Sequence, residues 1–354
     1  MHFIKPDINL DFMGKKYIAY TLSAVLILLG MAMLIYRGGP NKSVDFTGGW
    51  MIQIKLATSP TTQDASKIRE VVLKPLALQD EGIPQVGNKA EYAIRIKESK
   101  DISKDTLQAD IDKALKAGFG EGAEVQSLDY VGASVGKDLT TQALSIVFYT
   151  ILLIAIYISG RFEKKWTMSI VMAVCLVIAI LLGTSFGAGI TWLIVIALII
   201  AVVFCWILRL KYAMGAILSL VHDVAIVMGA FALTNREVSL TVVAAILTLI
   251  GYSLNDTIIV YDRIRENLRN ATGKKDMVEI MNRSVNQTLS RTILTSGTVF
   301  ITVAALYFLG GSVIHDFAFA LLIGVVTGTY SSIYIASPLL LLWEDKPVKK
   351  GKKG

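Results

Sequence analysis

Eight long apolar stretches, near residues 17–36, 139–160, 167–184, 189–208, 212–233, 239–260, 292–309 and 315–342, leave this chain one class of fold. Each has about 18 residues or more, which at roughly 1.5 Å per residue crosses some 30 Å of hydrocarbon. A chain that is 54% hydrophobic and 18% charged carries more apolar surface than a soluble core of its length buries. The expectation is a polytopic α-helical membrane protein with about eight transmembrane helices. In a soluble protein a net charge of +7 would suit nucleic acid. Here the placement of the charges matters more than their sum, and no nucleic-acid partner is expected.

Residues 1–16 are polar, with Lys5, Lys15 and Lys16 ahead of the first run. That run, 17–36, is too long for a signal-peptide core and no small-residue cleavage site follows it, so it reads as an uncleaved helix with a cytoplasmic start. Residues 37–137 form the one sizeable polar region. Val44–Leu56 reads as a strand, with Met51, Gln53 and Lys55 alternating against Ile52, Ile54 and Leu56. Thr62–Leu73 reads as a helix, and Ile83–Val86 and Tyr92–Ile96 as strands around a Gly87-Asn88 turn. Ser103–Lys116 reads as a second helix capped by Ser103, with Ile111 and Leu115 on one face, and Glu124–Tyr130 as a last strand. The order β-α-β-β-α-β is that of a ferredoxin-like α+β unit, which carries no function by itself. The chain then divides into a helix at 138–162, a two-helix hairpin at 163–210, four helices over 211–343 with a cytoplasmic loop at 261–291, and a basic tail at 344–354.

Charge fixes the orientation. Of the 35 basic residues, 20 fall in the segments placed inside, and Arg236 alone falls in a short outer loop. The remainder lie in the polar domain, which is long enough to escape the positive-inside rule. Both termini are therefore expected inside and the domain outside. Tyr20, Tyr36, Trp166, Trp206 and Trp343 lie near span ends, as an aromatic belt requires.

Against this background the intramembrane polar residues stand out. His222-Asp223 falls midway between Lys211 and Arg236, near the bilayer midplane. A carboxylate there must pair, face water or take a proton, or else sit neutral and hydrogen-bonded to a neighbouring helix through His222. Asn255-Asp256-Thr257 lies in the inner third, where Asp256 is either functional or an interfacial acid. Arg291 opens an apolar span, as an anchoring arginine also does. His315 and Asp316 fit a solvated helix start. Gly324 and Gly328 allow a close helix contact. Asp262–Arg269 reads as an amphipathic helix with an Asp262–Arg265 pair, and Asp45-Phe46-Thr47-Gly48-Gly49 as a turn of special backbone conformation. Cys175 and Cys205 lie inside apolar runs, where each behaves as a small buried hydrophobe rather than half of a disulfide. The chain has no phosphate loop, no Gly-x-Ser-x-Gly and no paired-histidine helix, and an enzyme, a cofactor or a metal is not expected.

The strings Asp45-Phe46-Thr47-Gly48-Gly49, Leu218-Ser219-Leu220-Val221-His222-Asp223 and Gly251-Tyr252-Ser253-Leu254-Asn255-Asp256-Thr257, together with Asp262-Arg263-Ile264-Arg265-Glu266, Arg291-Thr292 and Gly328-Thr329-Tyr330-Ser331-Ser332-Ile333-Tyr334, resemble the SecF family of the SecDF complex over nearly the whole chain. The resemblance implies an RND-type half-transporter in the bacterial inner membrane. It pairs with SecD, works with the SecYEG channel and YajC, and uses the proton-motive force in late steps of preprotein export. It also implies that Asp256 and Arg291 belong to the proton pathway, with Asp223 on the preceding helix in a less defined role and Asn255, His222 and Thr257 as supporting polar groups. The family has six spans, so residues 163–210 are extra. They are expected to be a lipid-facing hairpin, a contact for another subunit, or an occupant of the space where SecD or YajC docks. The alternatives to a protein-export motor are half of an RND-type lipid or small-molecule exporter and a scaffold without transport.

Overall fold

The computed structural model describes residues 9–56, 63–76, 78, 80–83, 90–96, 104–271 and 276–343. The expected 83–86 strand beyond Ile83, the Gly87-Asn88 turn, the Ser103 cap, Lys5, Lys274, Lys275 and the 344–354 tail lie outside them. The first membrane helix is α1 (Lys16–Tyr36). It is followed by one helical turn, α2 (Val44–Thr47), and only then by β1 (Gly49–Lys55). The expected strand thus starts late. The Ser43 hydroxyl accepts the Asp45 N–H and caps a turn, and the chain leaves it through Gly48 (φ 77°) and Gly49 (φ 115°), conformations that glycine adopts without strain.

Next come α3 (Asp64–Ile68) running into a π turn (Arg69–Leu73), β2 (Asp80–Gly82), β3 (Glu91–Ile96), α4 (Lys104–Phe119) and β4 (Glu124–Val131). The sheet order is β2-β3-β1-β4, antiparallel at each pairing, as a ferredoxin-like unit requires. The alternation read from the sequence holds. Ile52, Ile54 and Leu56 are buried with Ile94, Ile111 and Leu115 in a core separate from that of the membrane helices.

The membrane region comprises α5 (Ala133–Ile158, then a π turn to Glu163), α6 (Trp166–Ser185), α7 (Ile190–Ile207), α8 (Lys211–Thr234), α9 (Leu240–Asn270), α10 (Met277–Leu309) and α11 (Ser312–Ser331). Beyond α11 the chain continues through a π turn at Ser332–Ala336. Pro338 lacks the N–H that would close the preceding turn, and the Ser337 hydroxyl donates to the Ser332 carbonyl. Among the described residues seven helices are long and apolar enough to span a membrane, and α7 is slightly short of that length. The α6–α7 hairpin packs on α5 and α8 and presents apolar side chains outward. Cys205 is buried, but Cys175 is exposed on the hairpin's outer face, against expectation, because α6 is apolar all round and buries only one side.

The loop expected over 261–291 is mostly helix. Charged and amide side chains on α9 and α10 extend both helices past the membrane as a pair, through Asn267 to Ser284 and Gln287, and Arg263 to Gln287. On the other side of α10, Asn282 and Asn286 accept the N–H groups of Leu10, Phe12 and Met13, strapping the start of the chain to this extension.

Candidate functional site

Four helices converge on Asp223. Its Oδ2 accepts from the hydroxyls of Ser253 on α9 (2.6 Å) and Ser331 at the end of α11 (2.9 Å), and its Oδ1 lies 2.9 Å from His222 Nδ1. His222 Nε2 reaches Ser23 Oγ on α1 at 2.9 Å, and Ser23 lies 3.0 Å from the Tyr330 hydroxyl, which donates to the Ala19 carbonyl. Following the donors along this chain fixes the protons. Tyr330 uses its only hydrogen on Ala19, so Ser23 donates to Tyr330 and accepts from His222 Nε2–H. Nδ1 then bonds Asp223 either as an acceptor from a carboxylic acid or as the donor of an imidazolium. In both cases the pair carries one shared proton and no net charge, which suits a site where Asp223 is 1% exposed.

Backbones must come close for such short side chains to meet. A Cβ on Gly30 of α1 would stand 2.6 Å from the Gly229 Cα of α8, and one on Gly328 would stand 3.0 Å from the Ser253 Cβ. The contact expected of Gly324 and Gly328 is therefore made, against Leu249 and Ser253 of α9.

Asp256 lies one turn beyond Ser253 on α9 and is fully buried, not interfacial. Its Oδ2 accepts from Ser296 of α10 at a long 3.2 Å, and Ser296 in turn accepts from Thr329 of α11 at 2.7 Å. Its Oδ1 has no partner among the described residues. The same is true of the buried hydroxyl of Thr292, one turn inward on α10, whereas the Tyr252 hydroxyl, one turn outward on α9, lies against Ser296 and Thr329. Two unpartnered polar atoms thus lie along one helix seam, in a protein class where each is costly. The supporting residues divide. Thr257 is buried and bonds its own helix at the Ser253 carbonyl, whereas Asn255 is exposed.

Arg291 does not open its helix but sits nearly half-way along α10, because α10 begins fifteen residues earlier than the apolar run implied. Its guanidinium forms no ion pair with Asp256 and no hydrogen bond among the described residues, although its carbonyl accepts from the Thr295 hydroxyl. Instead it lines a cleft of about 560 Å³, with Tyr157 and Arg161 of α5, Asn255, Asp262, Arg263 and Glu266 of α9, and Gln287 and Thr288 of α10. The expected Asp262–Arg265 pair is replaced. Asp262 pairs with Arg161 at 2.6 Å and Arg265 donates to the Arg161 carbonyl, because α5 reaches α9 there and offers both groups. Arg263–Glu266 is the local pair that forms.

The solvated start expected of His315 and Asp316 holds in part: Asp316 keeps 32% of its side chain exposed, whereas His315 is buried. Arg236 pairs with Asp316 at 2.5 Å and contacts His315 Nδ1 at 2.9 Å, and His315 is buried against Tyr307. Ser253, Ser296, Thr329, Tyr330, Ser331 and Ser23 have no role that sequence reasoning assigns. Their signal is present all the same: hydroxyls repeat at helical spacing inside apolar runs.

The family model for the protein export membrane protein SecD/SecF, C-terminal, matches residues 111–198 and 181–346. A protein translocase subunit SecF from Calditerrivibrio nitroreducens is 38% identical over 97% of this chain and 96% of its own length. One from Rickettsia prowazekii is 33% identical over 99% and 96%. The chain belongs to the SecF family. It is a multi-pass membrane protein of the protein-export machinery with an RND-like fold, as the sequence resemblance implies. The crystal structure of SecDF from Thermus thermophilus, described as a translocon-associated membrane protein, superposes with a TM-score of 0.75 at 28% identity. The match covers 97% of this chain but 40% of that one. SecDF in a super-membrane-facing form matches at 0.53, covering 95% and 39%.

Proposed function

We propose that this chain is the SecF half of a proton-driven export motor, in which Asp256 takes up and releases protons and the external domain acts on preprotein emerging from SecYEG. The observation that carries this reading is the environment of Asp256: a fully buried carboxylate with one oxygen unpartnered and the other weakly held, beside the unpartnered Thr292 hydroxyl on a seam that runs toward Arg291 and the cytoplasmic cleft. A group that must gain and lose a proton needs both states to be tolerable, and a half-satisfied acid meets that need better than a fully bonded one. Asn255 and Arg291 flank the step between the cleft and Asp256, so they are read as its cytoplasmic approach.

SecD supplies the other half. The match spans two-fifths of the SecDF chain it resembles, and the remainder is read as the part that SecD contributes. The outward stripe of α9, through Thr241, Ala244, Thr248, Gly251 and Asn255, is small and polar where lipid favours Leu and Ile, and it suits a partner helix. YajC is a further membrane partner in this reading. The chain resides in the bacterial inner membrane with both termini in the cytoplasm, and it performs no covalent chemistry.

The test is export in cells lacking the protein. Asp256→Asn and Arg291→Met should each abolish support of export while the protein still inserts and co-purifies with SecD. Full complementation by both variants would remove the proton pathway from this reading.

A further inference from the structure

The external domain meets the membrane helices at the loop Asn235–Ser239, which joins α8 to α9, and the contact there is built from both backbone and buried charge. Lys42 pairs with Val238 as a parallel bridge, with Val238 N–H donating to the Asn41 carbonyl at 2.7 Å and Ser43 N–H to the Val238 carbonyl at 3.0 Å. Arg95 of β3 pairs with Glu237 at 2.8 Å, with the two side chains only 9% and 14% exposed. The Arg95 guanidinium also donates to the Asn41 side chain and the Lys42 carbonyl. Asp45, in the turn before β1, accepts the N–H of Leu240, the first residue of α9, at 2.9 Å. Gly48 closes the assembly on the other side, where a Cβ would stand 2.7 Å from the Cα of Ala133 at the start of α5.

We infer that Asp45, Arg95 and Glu237 are positioning residues which make the external domain and the outer ends of α8 and α9 one rigid body. Load on the domain is then borne directly by the helices that carry Asp223 and Asp256. The opposite arrangement, a clasp that opens during work, would strand a guanidinium and a carboxylate in a site with little access to water. Burial pushes the Glu237 carboxyl above its ordinary range, with Asp316 and Asp45 adding repulsion, and Arg95 is the group that opposes this. Arg236 does not compete for Glu237, since it is held by Asp316 and by the Tyr307 hydroxyl. The cap on α9 adds direction: an acid at a helix N-terminus satisfies a free N–H and complements the helix dipole.

This inference rests on the motor reading, and its test separates the two. In a Cys175→Ala, Cys205→Ala background, Lys42→Cys with Val238→Cys places thiols on bridge partners, at a Cα separation that suits a disulfide. Export supported by the oxidised staple should stay within about twofold of the reduced protein, because the clasp does not open. Arg95→Ala should lower export about tenfold, the size of an ordinary coupling between sites, and Arg95→Glu with Glu237→Arg should restore part of it. Asp45→Ala should lower export, and Asp45→Asn, which also caps, should restore it. A staple that blocks export until a reductant is added would overturn the inference, as would full export by Arg95→Ala. If Arg95→Ala does not accumulate, the staple alone decides. Asp256→Asn, run in parallel, reports on the motor: export retained there would sink the proton reading and leave the staple's outcome for the clasp intact.

Discussion

Asp223 and Asp256 are both buried acids of one helix bundle, linked through α9 and α11, yet their surroundings are opposite in kind. Asp223 is bonded at both oxygens, shares a proton with His222, and draws α1, α8, α9 and α11 together. Asp256 is bonded at one oxygen, at 3.2 Å, beside the Thr292 hydroxyl, which lacks a partner. Depth in the membrane ranks them the other way, since Asp223 is nearer the midplane. Burial makes an acid expensive, and the number of its partners then decides whether it is a structural joint or a group free to change its proton.

The sharpest way to break that contrast is to delete charge without deleting shape. Asp256→Asn should abolish proton-dependent export with no loss of thermal stability, because the amide still accepts from Ser296. Asp223→Asn should keep both, since its amide can accept from Ser253 and Ser331 while donating to His222 Nδ1, as a protonated acid does. Export lost in Asp223→Asn and kept in Asp256→Asn would reverse the assignment.

Truncation should invert the order of damage. Asp223→Ala removes the acceptor of the Ser253 and Ser331 hydroxyls and the partner of His222 Nδ1, and should cost about 2 kcal/mol or more, read as a lower unfolding temperature in detergent. Asp256→Ala removes one long bond and should cost well under that. Next in size is the α1–α8 crossing that supports the Asp223 network. Gly229→Val places side-chain atoms where Gly30 lies and should destabilise by about 1–3 kcal/mol, with Asp256 chemistry unaffected.

The smallest effect expected lies at the strap. Asp11 accepts from Gly14 N–H and Asn282, and these bonds hold its carboxyl below the usual aspartate range. A depressed carboxyl adds stability above its unfolded pKa and loses it as pH falls through the lowered value. Protection of the Leu10–Met13 amides against hydrogen exchange, corrected for intrinsic rate, should therefore weaken only slightly in acid.

Much of this is legible in the residues. Span lengths, the four strands' order and the alternation in β1 follow from periodicity, which tertiary contacts reinforce. What is not legible depends on partners distant in sequence. Helical spacing is local and couples Asp262 to Arg265, whereas its actual partner, Arg161, comes from another helix. Apolar runs mark membrane limits and so make Arg291 a helix start, while α10 continues past them on amide pairs. The difference between Asp223 and Asp256 cannot be seen at all in the sequence, since it lies in hydroxyls contributed by other helices to one acid and not to the other.

The α6–α7 hairpin bears on how the protein is made. Its tip, Phe186–Gly189, has no charge, and its two feet are held together in the finished fold by Lys165 donating to the Leu208 carbonyl and by Glu163 accepting the Tyr212 N–H. A pair of helices with nothing to drag across the bilayer can enter as a unit during synthesis, and both feet stay on the side where they began. A gene could gain or shed such a segment in one step without turning any later helix over. Such a hairpin leaves every later helix oriented as it would be without it.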